Sequence, residues 1–367
     1  MTDIQKIFLQ LVRLGIGHTE TTEITEEVDW EAVLALAERQ GLSAVVADGI
    51  DWLKVHGEGS TAILPPKPVI LQLIGSVLQN YEYRHNLYRG AIGELAGFYN
   101  SHGFKMMVLK GFACAMDWPK PEHRPCGDID IWQFGQWKEA DAALAAEKGI
   151  TIDNSHHHHT VFNWRGFMVE NHYDFINVHA RRSNVRLEKI FKKLGSDDSH
   201  FVEVNGERVY LPSPNLHALF LIRHAVAHFA AAEISLRQVL DWAFFVEKHG
   251  KEVDWPWLVR TLEEFGLKRF FDVVNVICVE DLGFASSMFD YSGFTCYVNK
   301  ELKERVLRDI LEPEFNEEVP QRLLPRVLFR YRRWQANAWK QRLCYNETRG
   351  SAFWSGVWNH LLKPSSI

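Results

Sequence analysis

The sequence predicts an α+β protein in which a small mixed β-sheet lies between two helical regions. Residues 1–100 and 213–367 repeat apolar residues at helical spacing. Residues 101–212 instead contain short runs of apolar, β-branched and aromatic residues that are separated by glycine-containing turns. A chain of 367 residues is long enough for two or three domains, and we place the domain boundaries at these two changes of pattern.

The N-terminal region is predicted to be mostly helical. The helical pattern covers the first 20 residues, residues 28–50, and the long stretch from Lys67 to Asn100. Charges are spread through the first segment, so it differs from the uninterrupted apolar core of a signal peptide. The second segment has one apolar helical face, which is formed by Trp30, Val33, Leu34, Leu36 and Ala37.

The middle region contains the predicted strands. Residues 104–111 and 128–134 are compact apolar runs, and residues 134–149 are predicted to form a helix that ends at Gly149. Two strand pairs should follow as hairpins, because Arg165-Gly166 and Asn205-Gly206 interrupt strand-like sequence. The C-terminal helical region then begins with Ser213 as the N-cap and Pro214 at the first helical position.

Composition excludes several classes of protein. A net charge of −6 argues against a uniformly basic surface, although it leaves room for a local basic patch. The five cysteines include no CxxC pair, so neither a zinc ribbon nor a disulfide framework is indicated. No apolar run is long enough to span a bilayer. We therefore expect a cytoplasmic protein with reduced thiols and no membrane partner.

Two acids stand one residue apart inside an apolar, strand-like run. Ile129, Ile131 and Trp132 give residues 128–132 strand character. Residues i and i+2 of a strand share a face, so the carboxylates of Asp128 and Asp130 should point the same way. Such a pair requires a cation or solvent nearby, and carboxylate oxygens are ligands that Mg²⁺ prefers.

The order of motifs around these acids resembles a known enzyme family. An apolar strand ends in Leu-Lys-Gly, and an Arg-x-x-Gly-Asp-Ile-Asp motif follows. This arrangement is similar to that of a large uncharacterised bacterial family within the DNA polymerase β-type nucleotidyltransferase superfamily. The superfamily usually has Gly-Ser in the turn and a shorter gap before the acids, and the present chain departs from both. The matching residues are Leu109, Lys110, Gly111, Arg124, Gly127, Asp128, Ile129 and Asp130.

The resemblance implies a nucleotidyltransferase core at residues 101–212 and a metal-dependent reaction. The enzyme would transfer an NMP group from an NTP and release pyrophosphate, using two Mg²⁺ ions, or Mn²⁺ ions as the alternative, held by carboxylates. The acceptor is left open and could be a small molecule, a protein side chain or an RNA end. Two other functions stay open as well: a catalytically inactive nucleotide-binding regulatory module and a toxin-like RNA-binding protein.

A third carboxylate is expected on a neighbouring strand. Alternation places Glu170, His172 and Asp174 on one face of residues 167–176. The resembling family carries an acid followed two residues later by histidine, which favours Glu170 as the third metal ligand and leaves Asp174 as the alternative. His172 is then expected to contact phosphate or to orient a ligand.

The remaining residues expected to bind the nucleotide surround the Lys-Gly turn. Gly111 would let backbone N–H groups approach phosphate, and Lys110 would add a positive charge. Arg124 could pair bidentately with the triphosphate, or it could form a salt bridge that fixes the loop.

Histidines occur in two further groups. His156–His159 lead into a predicted strand, and alternation would place two of them on each face; they could reach the nucleotide or the acceptor, form a solvated strand end, or bind zinc. Along residues 214–229, one helical face carries His217, Leu221, His224 and His228. The spacing of His224 and His228 would suit a metal, but we favour a face that lines a cleft or packs on the sheet.

Two further patterns follow in the C-terminal region. Arg237 and Asp241 are four residues apart, which favours a mutual ion pair over a role in facing base or phosphate. Arginines also recur at helical spacing with aromatic residues between them: Arg322, Arg326, Arg330 and Arg333, with Tyr331, Trp334 and Trp339. This pattern could follow a nucleic acid. We favour an amphipathic helix whose core residues are Leu324, Val327, Leu328 and Tyr331 and whose arginines meet the acids between Glu312 and Glu318.

Overall fold

The computed structural model describes residues 1–18, 28–56, 64–289, 298–315 and 319–346. It confirms the α+β class, with one mixed sheet flanked by helices. Fifteen α-helices are described in these ranges: α1 Asp3–Gly15, α2 Trp30–Gln40, α3 Ser43–His56, α4 Lys67–Val77, α5 Arg84–Ser101, α6 Phe112–Ala115, α7 Trp137–Lys148, α8 Arg182–Leu194, α9 Pro214–Ala231, α10 Leu236–His249, α11 Trp255–Glu264, α12 Lys268–Glu280, α13 Lys300–Leu311, α14 Leu323–Ala336 and α15 Ala338–Cys344. A π-helical segment, Leu78–Tyr83, joins α4 to α5.

The sheet contains six short strands in the order β3-β4-β2-β1-β6-β5. The strand bounds are β1 Met107–Val108, β2 Ile129–Trp132, β3 His159–Trp164, β4 Phe167–His172, β5 Phe201–Val204 and β6 Glu207–Tyr210. The central strand β2 runs antiparallel to β1 and parallel to β4. Its register places Asp130 beside Glu170 and Trp132 beside His172. Two acids that are forty residues apart in sequence therefore become neighbours.

Both predicted hairpins are confirmed. Asn205 and Gly206 turn β5 into β6, and Arg165 and Gly166 turn β3 into β4. The turn residues have positive φ angles of 54° and 82° in the first pair and of 52° and 85° in the second. Two successive positive φ values are typical of a type I′ turn, whose twist matches that of the strands.

The two faces of the sheet belong to different cores. Val108, Ile131 and Val169 lie in the core that α5 and α7 cover. Met107 and Trp132, which alternate with them, belong to a larger core that joins the N-terminal helices to α8, α9 and the C-terminal helices. Because the period of a strand is two, Asp130 and His172 must face this second side. The site therefore opens between the sheet and the C-terminal helices.

Several elements differ from the prediction. Strand β1 is only two residues long, because the chain turns at Lys110-Gly111 into the short helix α6. Helix α8, which follows β4, was not predicted. The caps agree with expectation: Ser213 and Pro214 begin α9, and Gly149 ends α7 with a φ of 64°.

The predicted apolar face of the arginine-rich helix is wrong at Leu328 and Tyr331. In α14, Leu328 and Tyr331 are 59% and 51% exposed. Phe329 is buried instead and packs on the ring of Phe315. The side chains of Leu324 and Val327 lie outside the described residues, as do residues 316–318 of the acidic segment.

Where the described residues show the partners of these arginines and of the acidic segment, the partners differ from the expected ones. Glu314 pairs with Arg305 of α13 at 2.7 Å. Arg326 donates to the backbone carbonyls of Pro320 and Gln321, which lie just before its own helix. The guanidinium of Arg333 lies over the ring of Phe329. Trp339 is buried under Arg305 rather than presented to solvent.

In the part of the chain that the structure describes, no helix has both the length and the apolar character that crossing a bilayer requires.

Candidate active site

Three carboxylates lie close together on and just before the adjacent strands β2 and β4. Asp130 lies within β2 and has no exposed side-chain surface, whereas Asp128 precedes the strand and its side chain is 33% exposed. Glu170, in the adjacent parallel strand, stands opposite Asp130 and is 19% exposed. The predicted acids are therefore brought together on one side of the sheet.

Lys110 lies among these carboxylates. Its Nζ is 2.9 Å from Oδ1 of Asp130 and 3.8 Å from Oδ2 of Asp128. Burial alone would lower the pKa of Lys110, but the charges of Asp130 and Asp128 outweigh burial and raise it. The ammonium group of Lys110 thus offsets the electrostatic repulsion between the carboxylates of the two aspartates.

His172 contacts two of the same acids. Its Nε2 is 3.2 Å from Asp130 and 3.7 Å from Glu170, and its Nδ1 is 3.2 Å from the carbonyl of Asp174. Burial opposes protonation, but the two carboxylates prevail and raise the pKa of His172 to about 9. Its imidazolium therefore donates from both ring nitrogens, which fixes the orientation of Asp130 and Glu170.

The donor set fits a divalent cation. Atoms of Asp130, Glu170 and His172 lie within 4.8 Å of one another, and the two carboxylates supply the ligand oxygens of this group while the imidazolium of His172 orients them. Oδ2 of Asp130 is buried and has no hydrogen-bond partner. Leaving a buried carboxylate oxygen without a partner is costly, and hard oxygen donors are the ligands that Mg²⁺ and Mn²⁺ take. A cation bound to this oxygen would supply the partner that it lacks.

Asp174 does not join the cluster. Strand β4 ends at His172, so the alternation that places Asp174 on the same face does not extend to it. Its carboxylate instead pairs with Lys192 of α8 at 2.5 Å.

Gly111 is required by close packing at the turn. Its φ of 61° with ψ of −95° is a conformation that side chains disfavour. A Cβ at this position would lie 2.5 Å from the hydroxyl of Tyr88. That hydroxyl donates to the backbone carbonyl of Asp128 at 2.8 Å. Tyr88, which the sequence did not single out, therefore links the glycine turn to the first acid.

Arg124 is engaged in a buried salt bridge. Its Nε and Nη2 donate to the two carboxylate oxygens of Asp241 at 2.7 and 2.9 Å, and Trp118 donates to the same carboxylate at 2.9 Å. Of the two interpretations given for Arg124, the structure therefore shows the salt bridge that fixes the loop. The expected direct ion pair between Arg237 and Asp241 is wrong, because Arg124 and Trp118 occupy the carboxylate.

Two of the four clustered histidines face the acids. Strand β3 begins only at His159, so the predicted division of His156–His159 between two faces does not hold, and His158 and His159 line one cavity. Nε2 of His159 is 3.8 Å from Glu170. Burial lowers the pKa of His158 to about 2 and that of His159 to about 4. His158 and His159 also form a possible metal group with His172, so zinc stays an open alternative.

Helix α9 closes the cleft opposite the sheet. Nε2 of His224 is 3.1 Å from Nζ of Lys110, and the rings of His224 and His228 are 4.3 Å apart. Burial and the charge of Lys110 lower the pKa of His224, which leaves it neutral and able to accept from the ammonium. The interpretation of this face as the lining of a cleft is confirmed for these two histidines. His217 instead lies beside Cys114, away from the acids.

Two cavities meet at Lys110 and Asp128. The larger measures about 520 Å³ and extends from Glu170 along α9 to α15. The smaller measures about 270 Å³ and lies beside Gly111 and Arg237. The larger cavity also contains cationic and aromatic residues that the sequence did not indicate: Arg181, Arg223 and Tyr345. Arg223 directly precedes His224 in the histidine-containing helix, but it is off the face formed by His217, Leu221, His224 and His228, and Arg181 and Tyr345 lie outside the motifs.

The comparison with known proteins agrees with the site. Residues 26–283, which are more than half of the chain, match the model of a family described as uncharacterised nucleotidyltransferase. No curated protein and no solved structure matches the chain. The family expected from the Lys-Gly turn and the Asp-x-Asp strand is thus confirmed, and the chain belongs to this family of nucleotidyltransferase enzymes.

Proposed function

We propose that the protein transfers the NMP group of an NTP to an acceptor and releases pyrophosphate. The observation that carries this proposal is the convergence of Asp128, Asp130 and Glu170 on one side of the sheet, beside a cavity that Asp128 and Glu170 line. The family match supports the same class of reaction. In the reaction, an acceptor oxygen bonds to the α-phosphorus, the bond from that phosphorus to the pyrophosphate oxygen breaks, and the proton of an acceptor hydroxyl passes to solvent.

We propose Asp128, Asp130 and Glu170 as the ligands of the divalent metal, Mg²⁺ or Mn²⁺. Such ions, when bound, activate an attacking oxygen and neutralise the charge of the leaving pyrophosphate. The buried Oδ2 of Asp130 supports this assignment, since it has no other partner. His172 holds Asp130 and Glu170 in place through the contacts described above, so we assign it the role of orienting ligands rather than of binding phosphate.

The Lys-Gly turn borders both cavities and is our candidate for contact with phosphate. Lys110 is placed to offer its ammonium between the acids and an incoming anion. Gly111 keeps the turn free of a side chain, and Arg237 lines the smaller cavity beside it with Nε lacking a hydrogen-bond partner. Arg124 does not serve as a phosphate ligand in this proposal, because Asp241 occupies its guanidinium.

The experiment that tests this function uses each of the four NTPs labelled at the α-phosphate. The protein is incubated with Mg²⁺, a cell extract and one labelled NTP, and labelled products are separated from free nucleotide. We expect one or more labelled products with the parent protein and none with Asp128→Asn. Equal product formation by a well-folded Asp128→Asn protein would contradict the assignment.

The same assay separates the two other functions. An inactive nucleotide-binding module would bind NTP without forming pyrophosphate or labelled product. An RNA-binding protein would bind RNA in a strongly salt-dependent manner and would not depend on Asp128.

A further inference from the structure

Arg223 is a buried cation to which no carboxylate of the described residues is paired. It lies on α9, immediately before His224, and is 5% exposed. Its Nη2 donates to Oδ1 of Asn184 at 3.4 Å, and its guanidinium lies 5.9 Å from the centre of the Tyr345 ring. Its Nε has no hydrogen-bond partner. Among the described residues, no acid forms an ion pair with it.

This arrangement is costly unless a ligand completes it. Removing a charged group from water carries a large penalty, which an ion pair and further hydrogen bonds normally offset. In the same structure, Arg124 is equally buried and has both oxygens of Asp241 as partners. Arg223 has one long hydrogen bond to a neutral amide. Its guanidinium therefore retains donors for an anion.

The surroundings of Arg223 hold it towards the large cavity. Asn184 of α8 is buried, and its Nδ2 donates to the carbonyl of Asn177 at 2.7 Å, which fixes the amide that Arg223 contacts. Arg181 lines the same cavity, donates to Gln341 and lies 3.4 Å over the ring of Tyr345. Two guanidinium groups and an aromatic ring thus lie together in the lining of the cavity.

Groups of opposite charge line this cavity. The carboxylates of Asp128 and Glu170 and the guanidinium groups of Arg181 and Arg223 are among its lining residues. A ligand that complements both sets of charges must carry a divalent cation and a chain of anionic groups together. The metal complex of a triphosphate has this character. Arg223 directly precedes His224 on α9, and His224 lines the same cavity and contacts Lys110.

We propose that Arg223, with Arg181 beside it, binds the triphosphate of the NTP in the cavity of about 520 Å³. This rests on the proposed function, and it moves the arginine contact to phosphate from Arg124 to α9. A cavity of this volume falls within the range of small-molecule sites. Arginine suits the task because its planar fork can donate two parallel hydrogen bonds to phosphate oxygens.

The test is calorimetric titration of the full-length protein with magnesium tripolyphosphate and, separately, with each magnesium NTP. Tripolyphosphate carries the phosphate chain without a base. We expect Arg223→Gln to raise the Kd for both kinds of ligand by roughly 10- to 100-fold, the loss typical of hydrogen bonds to a charged group. Arg223→Lys should fall between the parent and Arg223→Gln, because it keeps the charge and loses the fork.

Arg182→Gln is the matched control. Arg182 is on α8 next to Arg181, but it is exposed and does not line the cavity, so its replacement should leave both affinities unchanged. Thermal unfolding of each variant shows whether it is folded. If Arg223→Gln does not fold, the Kd values of Arg223→Lys are compared with those of the parent protein instead.

The outcomes separate the inference from the function on which it rests. The inference is overturned if folded Arg223→Gln binds tripolyphosphate and NTP as tightly as the parent protein does. It is overturned equally if these affinities are unchanged and only the rate of transfer falls, since Arg223 would then bind a phosphorylated acceptor instead of the NTP. A parent protein that binds neither tripolyphosphate nor any NTP would overturn the proposed function itself.

Discussion

Asp130 and Asp128 share a strand face but differ in their surroundings. Burial opposes ionisation of Asp130, yet Lys110 and His172 outweigh it and lower its pKa. For Asp128, burial and the charge of Asp130 together raise the pKa. The Asp-x-Asp pattern predicted the shared face, because strand periodicity is local. It could not predict which cations neutralise the two carboxylates, because His172 and Lys110 come into contact with them only when the strands of the sheet are paired.

The assignment of the third carboxylate gives the first prediction. Glu170 lies opposite Asp130 and contacts His172, whereas Asp174 pairs with Lys192 beyond the strand end. We expect Glu170→Gln to abolish NTP turnover and Asp174→Asn to lower it only mildly. Steady-state release of pyrophosphate by the two purified variants measures this. The reverse ranking would move the third ligand to Asp174.

The second prediction concerns Gly111. Any side chain there adopts a strained φ and approaches the Tyr88 hydroxyl to 2.5 Å. We expect Gly111→Ala to lower the free energy of unfolding by about 1–3 kcal/mol and to reduce turnover, because Tyr88 also holds the backbone of Asp128.

Urea unfolding measures the stability of the Gly111 variant. Gly103→Ala is the control, since Gly103 also has positive φ but a Cβ there would meet open space. A Gly111→Ala protein no less stable than Gly103→Ala would show that the contact with Tyr88 carries no cost.

At the scale of elements, the Arg124–Asp241 salt bridge ties the loop before β2 to α10, and it gives the third prediction. Both side chains are almost fully buried. Removing one partner leaves a buried charge unpaired, so Arg124→Ala should lower the free energy of unfolding by about 3–5 kcal/mol. The double variant Arg124→Ala/Asp241→Ala should lose less than the sum of the two single variants.

A double-mutant cycle measured by urea unfolding tests this coupling. The exposed pair Arg165–Glu94, whose side chains are 65% and 52% exposed, is the control, and it should show a coupling of about 1 kcal/mol or less. Additive losses at Arg124 and Asp241 would contradict a direct interaction.

Helix α8 supports the loop that follows β4, and this gives the fourth prediction. The carboxylate of Glu188 accepts hydrogen bonds from the backbone N–H groups of Phe175 and Ile176. Burial outweighs these bonds and raises the pKa of Glu188 to about 7 from its usual value of 4.5. Between these two pH values the unfolded chain releases a proton that the folded protein retains. Stability from this group therefore falls as pH rises from 4.5 to 7, by up to roughly 3 kcal/mol.

Urea unfolding at pH 5 and at pH 7.5 measures the effect of Glu188. As pH rises from 5 to 7.5, the free energy of unfolding of the parent protein should fall relative to that of Glu188→Gln, because the variant has no carboxyl group to titrate. Comparing the two proteins removes the contribution of other groups that titrate in this range. A difference that stays constant with pH would contradict the raised pKa.

Local sequence patterns predicted some elements well and others poorly. The hairpins at Asn205-Gly206 and Arg165-Gly166 were predictable because turn type depends on two adjacent residues. The apolar face of α14 was not predicted correctly, since Phe329 rather than Leu328 is buried. Which face of a helix is buried depends on the elements that it packs against. Periodicity alone cannot decide between two faces that carry similar numbers of apolar residues.

At the scale of the whole molecule, the site forms where the sheet meets the C-terminal helices. The acids could be predicted from residues 104–172, and the fold class from the contrast between the strand-like middle region and the helical patterns on either side of it. The contacts that complete the cleft join distant segments: Lys110 with His224, Arg124 with Asp241, and Asn184 with Arg223. Sequence spacing carries no information about such contacts, so the salt bridge of Arg124 with Asp241 could be named only as one of two alternatives, and the surroundings of Arg223 could not be predicted.

The central claim, that Asp128, Asp130 and Glu170 catalyse nucleotidyl transfer, is tested most directly by comparing the fate of α- and γ-labelled NTP. With Mg²⁺ and extract, we expect α-label to appear in the product and γ-label to appear in pyrophosphate at an equal rate. Both signals should be absent in Asp130→Asn. Transfer of the γ-label to the product, or unchanged rates in folded Asp130→Asn, would contradict the claim.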